Sequence, residues 1–380
     1  MAAVEVPPLI EILAEIPDQR ESRGKRHSLA GMLALGCVAT LCGYQNPHAI
    51  AEWGRNYGET YASLLGFERH GYPATSSWYR IFSQVDVDAV EVVLTGWCER
   101  VLTALTGQTP VGVRIDGKTL RGSKRQGASN SHLLAAYVAD IGMVLAQQGV
   151  DDKTNELGVI DDFLLGLALQ GRVVTTDALL TQHTVAWQIV DQGGDYVLPV
   201  KENHPLTHEA IASWFEHPAP YDWPNGQARA CEKQHGRLTQ WQIETSTALN
   251  HYLEWPGLAQ AFKITGQVTF AKSGQTRLHT RYGITSLSPE QASPADLLAF
   301  TRHHWAIENS LHWVRDVTFA EDRSTLRIGS THHVMAMLRN LAISLLHLHG
   351  FLHIATTVRR FAANPAPAIA FVVHSLHLGE

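Results

Sequence analysis

The stretch Val111-Gly-Val-Arg-Ile-Asp-Gly-Lys-Thr-Leu-Arg-Gly-Ser123 decides how the chain is read. Strand residues face alternate sides, so Val111, Val113 and Ile115 can bury one face while Arg114 and Asp116 share the other. The strand delivers the Asp116 carboxylate to its C-terminal end. Gly117 then predicts a turn, and Lys118, Arg121, Lys124 and Arg125 follow. A carboxylate succeeded by cations suits a metal ion on one side and a polyanion on the other. An Asp-Gly turn in a surface hairpin has the same local pattern. This segment alone leaves the two readings level.

The chain around it has 380 residues, enough for two or more domains. Its formal net charge of -6, with 21 histidines uncounted, argues against coating nucleic acid through bulk positive charge. Local basic patches run from Arg20 to His27, from Lys118 to Arg125 and from Arg323 to Arg339. Cys37, Cys42, Cys98 and Cys231 lack metal-ligand spacing, which predicts a reduced, cytoplasmic protein. Leu29 to Gly43 is apolar but too short to span a bilayer and reads as a buried helix, so no membrane partner is expected.

Residues 1–107 predict a helical domain, with helices over Leu9–Glu15, Ser28–Cys42, Pro47–Tyr57, Ser76–Gln84 and Ala89–Leu105. Residues 108–349 predict an α/β domain. Strands Val111–Asp116, Leu133–Ala139 and Met143–Val150 are joined by short turns. Helix Gly158–Leu169, strand Arg172–Thr176, helix Gln182–Gln192 and strand Asp195–Lys201 follow. Short links favour antiparallel neighbours and intervening helices favour parallel crossovers, giving a mixed sheet whose succession is that of a ribonuclease-H-like fold. Residues 221–287 alternate as a β-rich insertion, and Ser293-Pro-Ala-Asp296 starts a long helix predicted to reach Asp316. An apolar helix, Val334–His349, follows, and 350–380 form a tail.

Asp177 repeats the logic of Asp116, just past a short strand. Alone it reads more simply as a helix cap, but if the first and fourth strands are neighbours both carboxylates emerge at adjacent strand ends. On the long helix, His304, Glu308, His312 and Arg315 form one stripe, and the neighbouring Trp305 and Trp313 are expected to pack. Asp116, Asp177 and Glu308 offer hard oxygen ligands that favour Mg²⁺, with Mn²⁺ the alternative. Two such ions about 4 Å apart can activate a hydroxyl and stabilise a leaving oxygen at a phosphodiester.

Five segments carry a resemblance: Ile115-Asp-Gly-Lys-Thr-Leu-Arg-Gly122; Thr176-Asp-Ala with Thr181-Gln182; Gly194-Asp-Tyr-Val-Leu-Pro-Val-Lys201; His304-Trp-Ala-Ile-Glu-Asn-Ser-Leu-His-Trp313; and Asp316-Val-Thr-Phe-Ala-Glu-Asp322. Together the chain resembles insertion-sequence transposases of the ISAs type, a DDE-superfamily branch that includes the H-repeat-associated proteins. The resemblance implies a ribonuclease-H-like catalytic domain with a β-rich insertion, an associated helical N-terminal domain, and Mg²⁺-dependent DNA cleavage and strand transfer. Carried over by position, the acidic triad is Asp116, Asp177 and Glu308. Lys118, Arg121, Lys124, Arg125, Lys201, Arg237, Arg302 and Arg315 are then expected to contact DNA or orient carboxylates. The implied partner is double-stranded DNA, both element terminal repeats and target, bound by a homodimer and drawing the protein to the nucleoid. A catalytically inactive DNA-binding regulator of the same descent, and a metal-dependent hydrolase of small phosphate esters, stand as alternatives.

Overall fold

The computed structural model describes residues 4–21, 25–67, 71–107, 111–120, 131–150, 156–217, 226–234, 236–305 and 307–378. In chain order the elements begin with β1 (Val4–Val6), α1 (Leu9–Ala14), α2 (Leu29–Leu41), α3 (Pro47–Tyr61), α4 (Thr75–Gln84) and α5 (Val87–Thr106). Then come β2 (Val111–Thr119), β3 (His132–Val138), β4 (Met143–Val150), α6 (Ile160–Leu165), β5 (Arg172–Thr175), α7 (His183–Asp191), β6 (Asp195–Val200) and α8 (Pro205–Glu216). Strands β7 (Gly226–Gln234), β8 (Arg237–Ser246), β9 (Gln260–Phe270) and β10 (Thr276–Thr285) precede α9 (Pro294–His304). The chain closes with α10 (Thr331–Leu348), α11 (Ile354–Ala363), α12 (Ala366–Val373) and β11 (Leu376–Leu378). Two compact units result. One comprises residues 1–109, 117–155 and 307–380, the other residues 110–116 and 156–306.

The first unit is organised around α2. Ser28 caps it by accepting from the Gly31 N–H at 3.1 Å, and every residue except Ala30 is buried. A helix apolar on all sides must be enclosed on all sides; here α1, α3, α10, α11 and α12 pack around it. Gly31 permits that approach, because a Cβ there would stand 2.6 Å from the Leu65 carbonyl oxygen. Strands β3 and β4 form an antiparallel hairpin turned at Gly142, with φ of 67°, and β4 lies against α5 and α10. The chain ends pair through β1 and β11, Val4 opposite Leu378. Among the described residues no helix is long and apolar enough to cross a membrane.

The second unit is a sheet in the order β2-β5-β6-β10-β9-β8-β7. Strands β2, β5 and β6 are parallel, Val111 level with Arg172 and Val173 with Asp195, as helical crossovers require. Strand β10 runs antiparallel to β6, and β7 to β10 continue as an antiparallel meander. The expected β-rich insertion is thus an extension of the main sheet. Helix α9 covers one face of it over a core that includes Val173, Val197, Ile243, Phe262 and Leu297. Strand β2 is common to both units, and in the first its order is β4-β3-β2. The helical N-terminal region followed by a mixed α/β sheet is the fold class expected from the sequence.

Several expectations are corrected. Asp116-Gly117 is no turn: β2 continues to Thr119, and the Leu120 N–H donates to the Ser131 carbonyl at 2.8 Å. The helix predicted to reach Asp316 ends at His304 and is followed by π-helical segments Glu308–His312 and Val314–Thr318. Trp305 and Trp313, expected to pack, are 49% and 56% exposed. The tail is folded into α11, α12 and β11, and α8 and β7 join elements that the sequence reading did not include.

The π-helical region is fastened by a buried ionic triad. Arg315 donates to both Glu321 oxygens at 2.7 and 3.0 Å, and Arg339 donates to the same carboxylate at 3.1 Å. The second guanidinium also reaches the Gln45 carbonyl, whose side chain donates to Thr318 O, tying the N-terminal helices to this segment. Burial works against the Glu321 charge, but the two arginines outweigh it and hold the carboxyl below its ordinary range. A depressed folded value means that the stabilisation is complete above the unfolded value of about 4.3 and fades as pH falls through the folded one. Glu321→Ala leaves two buried guanidinium groups uncompensated and is expected to cost about 3–5 kcal/mol in urea unfolding at neutral pH. The deficit should shrink in acid. A loss below 1 kcal/mol, or one independent of pH, would contradict the triad's role.

Candidate active site

In the second unit, parallel pairing sets β2, which bears Asp116, beside β5, which leads into Asp177. The paired register runs from Val111 with Arg172 to Arg114 with Thr175; β2 continues through Asp116, and Asp177 follows the end of β5 by two residues. This is the neighbour relation that the sequence reading required of the first and fourth strands. Thr175 is buried, with its hydroxyl 3.1 Å from His304 Nδ1. His304 therefore braces the strand before Asp177.

Asp177 is half-buried at the head of a tight loop. Burial raises its pKa, while the Leu180 N–H bond to Oδ1 at 3.1 Å and the charge of Lys201 pull the other way. The loop is held from three sides. Thr181 donates to the Pro199 carbonyl at 2.8 Å, Asn203 Nδ2 to Ala178 O at 2.7 Å, and His204 Nε2–H to Thr181 O at 2.5 Å. Asn203 and His204 follow β6 directly, so the segment Lys201-Glu-Asn-His204 works as a clamp on the Asp177 loop. Neither Asn203 nor His204 was singled out in the sequence analysis. The readable signal was polar side chains concentrated just past a strand end, where buried carbonyls of a neighbouring loop need donors.

In the first unit, Glu308 lies exposed on the π-helical turn, with His312 Nδ1 3.5 Å from its carboxylate. Burial lowers the His312 pKa, Glu308 opposes that shift, and Arg315 and Lys118 reinforce it. A neutral imidazole beside a solvent-facing carboxylate is a donor pair that a divalent cation can use.

The expected DNA-contacting residues divide. Lys118 is buried and paired with Asp316 at 2.7 Å, and Arg315 is fully enclosed by its bond to Glu321. Both are thereby withdrawn from the phosphate-binding set and act as internal braces. Arg302 is also engaged, bonded to Glu232 at 2.7 Å and stacked 4.0 Å above the Trp241 ring. Lys201 and Arg237 are exposed. Arg121, Lys124 and Arg125 lie outside the described residues.

Comparison with known proteins identifies the family of the chain. A family described as "Transposase DDE domain" matches residues 107–345, and one described as "DDE_Tnp_1-associated" matches residues 10–98. "Putative transposase YncI" of Escherichia coli O157:H7 is 29% identical over 350 residues, covering 89% of this chain and 87% of that protein. The "Uncharacterized protein in dhlA 3'region" of Xanthobacter autotrophicus is 33% identical over 276 residues, covering 71% of this chain and 92% of the relative. "H repeat-associated putative transposase YhhI" of Escherichia coli K12 is 27% identical over 361 residues, covering 90% and 91%.

The strain at Asp177 is measurable without any substrate. Its folded pKa is raised, so the folded state prefers the protonated form and the penalty is complete once pH exceeds the folded value. Asp177→Asn keeps an oxygen for the Leu180 N–H and removes the charge. It should raise the thermal midpoint at neutral pH in chelator, a stability gain of less than about 1 kcal/mol after solvent screening, and the gain should vanish in acid. A lowered midpoint at neutral pH would refute the assignment.

Proposed function

The chain belongs to the transposase DDE-domain family, and we propose that it is an insertion-sequence transposase that cleaves element ends and joins them to target DNA. The observation that carries this reading is the parallel pairing of β2, which bears Asp116, with β5, which leads into the Asp177 loop. A half-buried carboxylate such as Asp177 resists ionisation, chiefly because burial disfavours its charge. A divalent cation relieves that cost, so a set of carboxylate donors fits the metal that the fold implies.

In this reading Asp116, Asp177 and Glu308 supply ligands to Mg²⁺ or Mn²⁺, with His312 beside Glu308. When bound, the metal lowers the pKa of a hydroxyl group and neutralises charge at the scissile phosphate. The chain's own residues do the rest. The clamp formed by Asn203 and His204 fixes the Asp177 loop, and the Arg315–Glu321–Arg339 triad fixes the segment that bears Glu308. Lys201 sits where its ammonium offsets charge at Asp177 and is placed to meet a phosphate oxygen. Water attacks a phosphodiester at the element end, releasing a 3′-hydroxyl, and that hydroxyl attacks target DNA with loss of the target's own 3′-oxygen link. Joining two ends in one event calls for two copies of the chain on DNA.

Asp116→Asn keeps the shape of the strand end and removes a metal ligand. It should slow Mg²⁺-dependent cleavage of a terminal-repeat duplex by about a thousandfold or more, the equivalent of roughly 4 kcal/mol of barrier, while binding of the same duplex stays within a few-fold of wild type. Undiminished cleavage would remove Asp116 from the metal site. Binding without metal-dependent cleavage by the unsubstituted protein would favour the inactive regulator instead.

A further inference from the structure

Strand β4 is the edge of its sheet, and helices α5 and α10 of the same unit pack against it. An edge strand carries backbone groups that need partners once they are covered. Side chains of the two helices supply them. Cys98 Sγ donates to the Val144 carbonyl at 3.4 Å, and Ser344 Oγ accepts from the Val144 N–H at 3.0 Å. Asn340 Nδ2 donates to Gln147 Oε1 at 2.5 Å, and the Ser344 hydroxyl donates to the Asn340 carbonyl at 2.9 Å. Glu91 and Cys98 share one face of α5, as Asn340 and Ser344 share one face of α10.

Glu91, Cys98, Gln147, Asn340 and Ser344 line a cavity of about 30 Å³, room for roughly two particles the size of water. Two enclosed oxygens on these residues, Glu91 Oε1 and Asn340 Oδ1, accept no hydrogen bond among the described residues. Asn340 is 4% exposed, and Glu91, half-buried as a whole, has this oxygen shut away from solvent. An enclosed acceptor with neither a donor nor a cation is costly, the more so when it is charged. Burial raises the Glu91 carboxyl to about 8; hydrogen bonds from Gln147 oppose that rise, Asp88 adds to it and Arg315 opposes it. Among the lining residues, β4 and α10 contribute none that is charged. Oxygen ligands select hard cations. One carboxylate among neutral amides and hydroxyls balances a single positive charge, whereas a divalent ion would leave net charge enclosed. The Cys98 thiol is engaged with Val144 and burial keeps it protonated, so soft metals find no thiolate.

We propose that this cavity is an alkali-cation site, in which Glu91 Oε1 and Asn340 Oδ1 hold a Na⁺ or K⁺ ion beside the edge of β4. The ion gives both acceptors a partner and ties α5 to α10. Asn340 directly follows Arg339 of the ionic triad, so the ion steadies the same turn of α10 that fastens the π-helical region. The site is separate from the three carboxylates and does not depend on the transposase reading.

The test compares the full chain in KCl, NaCl and choline chloride at matched ionic strength. All three contain chelator, which strips divalent ions and leaves alkali ions free. Choline is too large for the cavity. At about pH 9, above the Glu91 value, the thermal midpoint should be about 2 °C higher in an alkali salt than in choline, once the ion reaches about ten times its dissociation constant. At about pH 6 a proton occupies the carboxylate, and the difference should fall below about 0.5 °C. A larger rise in one alkali salt names the resident ion. Glu91→Gln fills the same space without the charge and should remove the difference at either pH. A second measurement serves should that variant fail to fold. Crystals of the unsubstituted chain soaked in thallium(I), which replaces K⁺, should show an anomalous peak between Glu91 and Asn340. Equal midpoints in the three salts at the higher pH would overturn the proposal, as would a cation effect of full size in Glu91→Gln or crystals without that peak.

Discussion

Parallel pairing of β2 with β5 is the constraint from which the rest follows. Parallel neighbours cannot be joined by a tight turn, so the chain must leave the sheet and return, and α6 and α7 are laid down on those returns. The same pairing sets which residues reach the strand ends together. Register then matters more than residue identity. A slip of one position would invert every side chain of β5 relative to the core. Burial of both faces of β2 and β5 makes such a slip expensive, since Val113, Ile115, Val173 and Val174 would lose their packing.

Around that pair, polar groups are spent on holding backbone. Thr175 and His304, Thr181 and Pro199, Asn203 and Ala178 each join elements far apart in sequence near the Asp177 loop. Buried polar partners of this kind are costly when half-made and confer definition when complete. The ionic triad under the π-helical region has the same character. Its contribution to net stability is modest compared with an apolar replacement, but it admits one arrangement of three charged side chains. Rigidity of the supports allows the carboxylates themselves to remain half-buried or exposed.

Much of this was legible in the sequence, and the misses have physical causes. Strand Met143–Val150 and the hairpin turn before it were readable because apolar runs and a glycine turn are local signals. The Asp-Gly turn failed because the bond from Leu120 to Ser131 and the Lys118–Asp316 pair, both distant in sequence, override local turn preference. The π-helical turns were invisible, since residues four apart meet in either winding. Arg315 looked like a phosphate ligand until Glu321 and Arg339 were seen to enclose it. Strands β1 and β11 have three residues each, too few for any periodicity, and each exists by virtue of the other. Asp177 was read from its place just past a short strand, which the structure shows as β5, ending at Thr175.

Helix α2 carries a consequence for how the protein is made. Its sides are covered partly by α1 and α3, which are near in sequence, and partly by α10, α11 and α12, which are not. About 290 residues separate the end of α2 from the start of α10. At a translation rate of roughly 5–20 residues per second, a fully apolar helix waits on the order of 15–60 s for its remaining cover. During that interval the nascent chain presents a sticky surface, and a chaperone that shelters short apolar helices is the natural occupant. Yield of folded protein from a given messenger is therefore governed by the speed of synthesis and the supply of such shelter.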